Sequence, residues 1–225
     1  MELSFLDNPD GFDAFYSVIH NVQLPSHARV WIEEIYKARK DSNKGTVIEA
    51  FRGSTKTTTM LTFVAFRIGL EPTKANLIVQ VSDDSAKKNA ATVAAIIEFN
   101  AGWKDFFSNV APDKEAGWGG NGYEVMVTDY PYEMWRRLNS KRQDPTLFAG
   151  GRTSHALIGK HPDGVCLLDD LDDETTTRSM RETIKTADLL TGTIFPTYRP
   201  ETWKITIGTP WTTKDVIHIA SQLGN

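Results

Sequence analysis

The segment VIEAFRGSTKTTTMLTFVAF, residues 47–66, places a lysine and several hydroxyls where an apolar, β-branched stretch gives way to a helical pattern. Lys56 and Thr57 would open that helix. The free amide groups and partial positive charge of a helix N-terminus attract phosphate. A lysine there can reach phosphate oxygens, and a threonine hydroxyl can hold Mg²⁺. The segment therefore predicts a strand, a phosphate-binding loop and a helix.

The loop departs from the usual G-x-x-x-x-G-K-[ST] pattern at both glycine positions. Ala50 stands at the first and Thr55 at the second. Gly53 still supplies one residue that tolerates a positive φ, and Ser54 is small. Taken alone, the loop is open to two interpretations: a nucleotide site of unusual spelling, or a basic turn that only resembles one.

A second motif is the apolar run VCLLDD, residues 165–170, which ends in two carboxylates. A phosphate-transferring site needs an aspartate at a strand end for Mg²⁺, and fast hydrolysis needs a second carboxylate to orient the attacking water. Asp169 is predicted for the metal role and Asp170 for the base role. The base assignment could shift to residues 172–174, although these also suit a turn that caps the next helix. The spacing does not match a calcium-binding EF-hand loop.

A third motif, ITIGTPW at residues 205–211, is a strand that ends in a turn containing Thr209. A threonine beside the metal-binding strand can sense a terminal phosphate and pass its loss to neighbouring elements. A turn with glycine and proline is commonplace by itself. The order of the three motifs along the chain makes coincidence a poor explanation.

The elements that must position these residues follow from hydrophobic periodicity, which alternates between strands and helices. Continuous apolar runs are typical of buried parallel strands, so the pattern predicts βαβ units and a mainly parallel sheet flanked by helices. The predicted strands cover residues 47–51, 76–82, 165–170 and 202–211; the predicted helices begin at Ser26 (as its cap), Lys56, Asp83, Thr175 and about Thr213.

The middle of the chain is less regular. The glycine-rich stretch AGWGGNG, residues 116–122, lacks a following Lys-Ser/Thr pair and is predicted to be a connector. Three short segments, YEVMVT, TLFAGG and SHALIG, are predicted strands of a meander between the two main α/β motifs.

Composition narrows the class of protein. The chain has 225 residues, of which 40% are hydrophobic and 24% charged, as expected of a globular domain. No apolar run approaches the roughly 18 residues of a membrane span, the N-terminus lacks the pattern of a secretory signal, and one cysteine excludes an internal disulfide. With a net charge of −4, a basic nucleic-acid footprint would be either a local patch or supplied by something outside this chain. Arg136, Arg137, Lys141 and Arg142 form such a cluster, which also reads as a solvated helix end.

As a set, the motifs resemble the ATPase domain of the large terminase subunit of tailed double-stranded DNA bacteriophages. FRGSTKTT is similar to the terminase phosphate loop, which often carries an arginine before the glycine and tolerates another residue before the lysine. HPDGVCLLDDLDDE resembles its metal strand and IGTPWTTKD its coupling motif. NLIVQVSDDSAKKNA and LPSHARVWI resemble its second strand-and-helix motif and the segment near the adenine. The resemblance covers roughly residues 20–220.

The resemblance implies an additional-strand, RecA-like P-loop NTPase fold that hydrolyses ATP with Mg²⁺. In this family the ATPase moves double-stranded DNA into a procapsid in the host cytoplasm. The implied partners are DNA, the portal protein, the small terminase subunit and further copies in a ring, with the isolated domain expected to be a monomer. The implied nucleotide-binding residues are Arg52, Gly53, Ser54, Thr55, Lys56, Thr57 and Thr58; Thr57 and Asp169 would hold the metal, Asp170 would act in catalysis and Thr209 in coupling.

Other family features transfer less directly. The family uses an arginine finger from a neighbouring subunit, for which Arg152 is the first candidate, with Lys160 and Arg199 as alternatives. A glutamine often reads the adenine, whereas this chain has SHAR at residues 26–29, so the adenine contact is unassigned. The expected organisation is an N-terminal helical segment (1–45) and an ATPase core (46–225), without the nuclease domain of a full terminase.

Two other functions compete with this one. A helicase-like translocase of related P-loop type would need a second RecA-like domain, for which there is no room. A non-hydrolysing nucleotide-binding scaffold is favoured by the two missing loop glycines and opposed by Lys56, Thr57, Asp169 and Asp170.

Overall fold

The computed structural model describes residues 4–41, 44–120, 122–213 and 215–222. Its centre is a six-stranded β-sheet. The strands are β1 (Thr46–Glu49), β2 (Asn76–Gln80), β4 (Gly122–Tyr123), β6 (Leu147–Gly151), β7 (Val165–Asp169) and β8 (Trp203–Gly208). A separate antiparallel pair is formed by β3 (Val110–Pro112) and β5 (Val125–Val127).

The order in the central sheet is β1-β8-β7-β2-β6-β4. All neighbours are parallel except β4, which pairs antiparallel with β6 at one edge. This confirms the prediction of an α/β fold with a mainly parallel sheet. TLFAGG is a strand as predicted, but it lies inside this sheet beside β2 and not in a meander. The reason is that parallel pairing joins strands distant in sequence, which a local pattern does not reveal.

The helices cover both faces of the sheet. They are α1 (Pro9–His20), α2 (Ser26–Arg39), α3 (Lys56–Leu70), α4 (Asp83–Phe99), α5 (Ala101–Phe107), α6 (Tyr132–Leu138), α7 (Glu174–Thr177), α8 (Met180–Leu189) and α9 (Val216–Gln222). None of the helices in the described ranges is long and apolar enough to cross a membrane.

Alternate side chains of the strands enter two apolar clusters, which explains why the strand sequences are apolar throughout. On one face, Ile78 and Leu167 pack with an aromatic cluster from the helices; on the other, Leu77 and Leu168 pack against the chain around residues 190–194. The aromatic cluster joins α1, α3 and α5 through Phe12, Phe15, Phe63, Phe66, Trp103 and Phe107. The N-terminal helices therefore share one core with the sheet.

Helix ends account for several differences from the predicted boundaries. Pro25, and not Ser26, is the N-cap of α2, and no side chain caps that end. Ser82 caps α4 by accepting a hydrogen bond from Ser85 N, which ends β2 at Gln80. The helix predicted from Thr175 is divided into α7 and α8, because Ser179 caps the second of them. The last helix begins later than predicted, at Val216, after a turn held by Asp215.

Other predictions about local structure were partly wrong and partly confirmed. SHALIG was predicted to be a strand, yet residues His155–Leu157 form a single 3-10 turn, since its apolar positions do not continue an alternation. The helices α1, α5 and α6 were not predicted. Arg136 and Arg137 do lie in the exposed last turn of α6, as the helix-end interpretation required. In the glycine-rich connector, Gly117, Gly119 and Gly120 have positive φ, while Asn121 lies outside the described residues.

Candidate functional site

The phosphate-loop residues link β1 to α3, and α3 begins at Lys56 as the sequence predicted. Gly53 has φ +79° and Thr55, the residue before the helix, has φ +61°. Both positions therefore require the left-handed conformation that glycine adopts most easily. A β-branched residue in that conformation is strained. Thr55 stands at the second glycine position of the usual motif, and it adopts a positive φ although it is not glycine.

The loop is fixed from the side of α2. His27 Nε2 lies 2.9 Å from the Ser54 carbonyl oxygen, and Thr55 Oγ1 donates to the same oxygen at 2.6 Å. Ser54 itself is 2% exposed, and its hydroxyl has no hydrogen-bond partner among the described residues. A buried hydroxyl without a partner is uncommon in native structures. Ser54 directly precedes Thr55, the N-cap of the 15-residue helix α3.

Lys56 crosses from the loop to the end of the sheet. Its Nζ lies 2.9 Å from Asp170 Oδ2 and 3.2 Å from Thr209 Oγ1. Asp170 Oδ1 in turn accepts a hydrogen bond from Thr209 N at 3.1 Å. Residues from three motifs that are far apart in sequence thus form one contact group. The lysine side chain is 10% exposed, so its charge is held in a nearly closed setting.

Asp169 lies beside this group and is 1% exposed. Thr57 Oγ1 donates to its Oδ1 at 3.4 Å, Gln80 Nε2 donates to its Oδ2 at 2.7 Å, and Asn89 Nδ2 approaches the same oxygen at 3.5 Å. Burial raises the pKa of Asp169 to about 6, and the neighbouring charge of Asp170 acts in the same direction; the hydrogen bonds from Gln80 and Thr57 and the charge of Lys56 oppose them.

Asp170 has φ +45°, so the chain turns sharply where β7 ends. The described residues include three non-glycine residues of positive φ, and two of these, Thr55 and Asp170, belong to this site. Strained backbone of this kind is concentrated at functional sites. The turn directs Asp169 to one side of the strand and Asp170 toward Lys56.

Three further residues predicted for the site are Arg52, Thr58 and Arg152. Arg52 is exposed, with its guanidinium over the Trp211 ring. Thr58 is exposed on the first turn of α3. Arg152 is 8% exposed and pairs with Glu182 at 3.1 Å, with a further hydrogen bond to Thr186. Arg152 is thus engaged within its own chain, and its expected role as a finger donated in trans stays a prediction.

Acidic residues beyond Asp170 have structural partners. Asp173 Oδ1 accepts a hydrogen bond from Thr176 N at 2.8 Å, which is the helix-capping role predicted for this run. Asp172 Oδ2 accepts from Val216 N at 2.6 Å and thereby fixes the start of α9. The base role therefore has no better-placed candidate than Asp170 among these residues.

Sequence reasoning missed Gln80, Asn89 and His27 as parts of the site. Gln80 carried a usable signal, because it is a polar residue at the buried end of an apolar strand, as Asp169 is. His27 was noted only within the segment thought to lie near an adenine. Asn89 lies on an otherwise ordinary amphipathic helix and gave no signal.

Comparison with models of known protein families and with curated proteins found no significant match. The function must therefore be argued from the residues of the site.

Proposed function

We propose that the chain is a magnesium-dependent ATPase and the motor domain of a DNA-packaging terminase. One observation carries the proposal: a helix-N-terminal lysine, a hydroxyl and two carboxylates from separate motifs meet at the carboxyl edge of the parallel sheet. These are Lys56, Thr57, Asp169 and Asp170, joined by the contacts of 2.9 and 3.4 Å described above. Ligands of open α/β sheets bind at this edge.

The strand order supports the assignment to the additional-strand class of P-loop enzymes. The loop follows β1 and the carboxylates follow β7, and β8 lies between the two strands. An extra strand in that place is what the name of the class describes. The resemblance of the three motifs to terminases favours one branch of it.

The loop residues fit a nucleotide's phosphates. The N-terminus of α3, the Lys56 ammonium and the buried Ser54 hydroxyl supply donors and positive charge in one place. Arg52 adds a guanidinium at the mouth of the loop. Only two contacts of the Lys56 ammonium are described, an ion pair with Asp170 and a hydrogen bond to Thr209. A phosphate can replace these contacts when it binds.

Thr57 and Asp169 fit a magnesium ion. The described residues contain no cluster of three or more histidine, cysteine or acidic side chains that would form a self-contained metal site. Magnesium in nucleotide sites needs less from the protein, since one or two carboxylates and the phosphates complete its coordination. When bound, it would neutralise charge on the phosphate oxygens.

Asp170 is the proposed base that orients the attacking water. In the present contacts its carboxylate is occupied by Lys56 and by Thr209 N. If the Lys56 ammonium moved from Asp170 to a phosphate, one Asp170 carboxylate oxygen would become free. Thr209 contacts both Lys56 and Asp170, so this movement would change its contacts. The change could then reach α9 through the turn between Thr209 and that helix.

The proposed motor role implies the following partners: double-stranded DNA, the portal protein, the small terminase subunit and further identical subunits in a ring. An arginine finger would come from a neighbouring subunit, and such a group contributes on the order of 10³ to 10⁵ in rate. The isolated chain is therefore proposed to bind ATP well and to hydrolyse it slowly.

Titration calorimetry with Mg²⁺ and a non-hydrolysed ATP analogue tests the site directly. Saturable binding by the wild type should be lost in Lys56→Ala and weakened in Asp169→Ala. Lys37→Ala is the matched control, because Lys37 is an exposed helical lysine away from the loop. A folded wild-type protein that gives no binding heat would refute the ATPase proposal. ATP hydrolysis that does not respond to double-stranded DNA at a concentration allowing oligomers would refute the motor role.

A further inference from the structure

Arg52 is a charged side chain at the mouth of the loop with an aromatic partner. Its guanidinium carbon lies 4.2 Å from the centre of the Trp211 ring. Within the described part of the chain, no ion pair and no hydrogen bond engages this guanidinium. By contrast, Arg67, which lies 4.4 Å from the centre of the Trp203 ring, is 3% exposed and also pairs with Asp7 and Glu71. Among the described residues, Arg52 is therefore held only by the Trp211 indole.

Trp211 is fixed much more firmly than Arg52. Its backbone N donates to Asp215 Oδ2 at 2.7 Å, and Thr212 N donates to the same oxygen at 3.0 Å. The Asp215 side chain is 1% exposed, so this anchor is buried. The same short segment carries Thr209, which contacts Lys56. The backbone that carries the indole is thus anchored in the turn that faces the phosphate loop.

The cation–π contact between Arg52 and Trp211 is weak enough to break when a ligand binds. A cation–π contact at an exposed position biases a side chain by about two- to fivefold. A bidentate contact between a guanidinium and a phosphate is stronger, because both groups are charged and their geometries match. A triphosphate held beside Gly53 and Lys56 would therefore compete successfully for Arg52.

We propose that Trp211 is a positioning residue, which holds Arg52 beside the loop and releases it to the phosphates of a nucleoside triphosphate when one binds. This inference rests on the proposed nucleotide site and adds a residue to it. The release would couple the loop to the 209–215 turn by a second route, separate from the contact between Lys56 and Thr209. It also gives Arg52 a defined orientation before the ligand arrives.

Fluorine NMR of protein labelled with 5-fluorotryptophan tests the proposal, since each of the six tryptophans gives its own resonance. Trp211→Phe identifies the resonance of Trp211, and Arg52→Gln shows where it lies without the cation. The ligand-free wild type should differ from Arg52→Gln at this resonance. Mg²⁺ with the non-hydrolysed ATP analogue should move the wild-type resonance to the Arg52→Gln position, and inorganic tripolyphosphate should act in the same direction.

Arg39→Gln is the matched control, because Arg39 lies 5.5 Å from the Trp203 ring and should not affect Trp211. Identical Trp211 resonances in the ligand-free wild type and Arg52→Gln would overturn the proposal while leaving the nucleotide site intact. Lys56-dependent binding heat without movement of the resonance would overturn it as well. If neither heat nor movement is seen, the nucleotide site and the release fail together, although a difference between the ligand-free proteins would still establish the contact.

Discussion

Lys56 Nζ lies 2.9 Å from Asp170 Oδ2, so the proposed phosphate ligand and the proposed base neutralise each other when no phosphate is bound. A phosphate must separate them before either can act. In the proposed site the pair would thus oppose nucleotide binding by the strength of its own attraction. It would also link the freeing of the proposed base to the arrival of the proposed substrate.

Asp170→Asn should therefore tighten binding of the Mg-ATP analogue and abolish turnover. The Asp170 side chain is 35% exposed, and an ion pair of that exposure is worth about 1 kcal/mol or less, so an increase of up to roughly fivefold in affinity is expected. Asp105→Asn removes one charge from an exposed position on α5 and is the control for net charge. Unchanged or weaker binding in Asp170→Asn would show that the pair does not compete with the ligand.

Thr55→Gly should stabilise the fold. Thr55 has φ +61°, which costs about 1–2 kcal/mol for a residue other than glycine. Part of that gain is offset because glycine is more flexible in the unfolded chain, so a net increase of about 0.5–1 kcal/mol in the free energy of unfolding is expected. Urea titration followed by circular dichroism measures it.

The control for that change is Thr58→Gly, three residues later and exposed on the first turn of α3. Glycine in a helix is unfavourable, so this variant should lose roughly 0.5 kcal/mol. Equal losses in the two variants would mean that the left-handed conformation at Thr55 is not strained in solution.

Gln80→Leu should destabilise the protein by about 1–3 kcal/mol, the usual cost of leaving a buried polar group without its partner. Gln80 is 5% exposed and its amide donates to Asp169 Oδ2 at 2.7 Å. In an Asp169→Ala background the same substitution should cost less than half as much, because the orphaned oxygen is absent. Additive losses in the double variant would contradict the assigned pairing.

His218 and Asp215 predict a pH dependence of stability. The hydrogen bond with Asp215 raises the pKa of His218 above 6.5. Burial raises the pKa of Asp215, but hydrogen bonds from Thr212, His218 and Trp211 outweigh it and hold the pKa below its usual value, so this carboxylate stays ionised near neutral pH. A raised histidine pKa stabilises the fold fully below about pH 6.5, and that contribution is lost as the pH rises through the folded-state pKa.

The stability difference between wild type and His218→Gln should therefore be largest near pH 5.5 and should shrink as the pH rises past 7. The His218 side chain is 33% exposed, so the difference is limited to about 1 kcal/mol or less. Thermal or urea unfolding at several pH values measures it. A difference that grows with pH would reverse the sign and refute the assignment.

The sequence predicted which residues meet at this site better than it predicted the residues that support them. Lys56, Thr57, Asp169, Asp170 and Thr209 were identified because strand and helix patterns place them at element ends, and the structure brings them together. The start of α3 at Lys56 was also predicted. These features could be predicted because they depend on short, local stretches of sequence.

Features that depend on tertiary packing were missed. Asn89 reaches Asp169 from a helix whose sequence shows only an amphipathic pattern. Arg152 looked available in the sequence, but Glu182, thirty residues later, engages it. The helix α1 is different, because it was missed although its signals are local: Asn8 caps it, Pro9 begins it, and its buried residues Phe12, Phe15, Tyr16 and Ile19 have helical spacing.

The place of β8 between β1 and β7 has a consequence for how the protein folds. Ala50 N donates to Gly208 O and Asp170 N donates to Ile207 O, so the end of this one strand holds both halves of the site. β8 follows the other described strands along the chain. During synthesis β1 can reach its partner in the sheet only after residues 203–208 have emerged. Among the described strands, the last to be made is thus the one that joins both halves of the site, and contacts between such distant segments are slow to form.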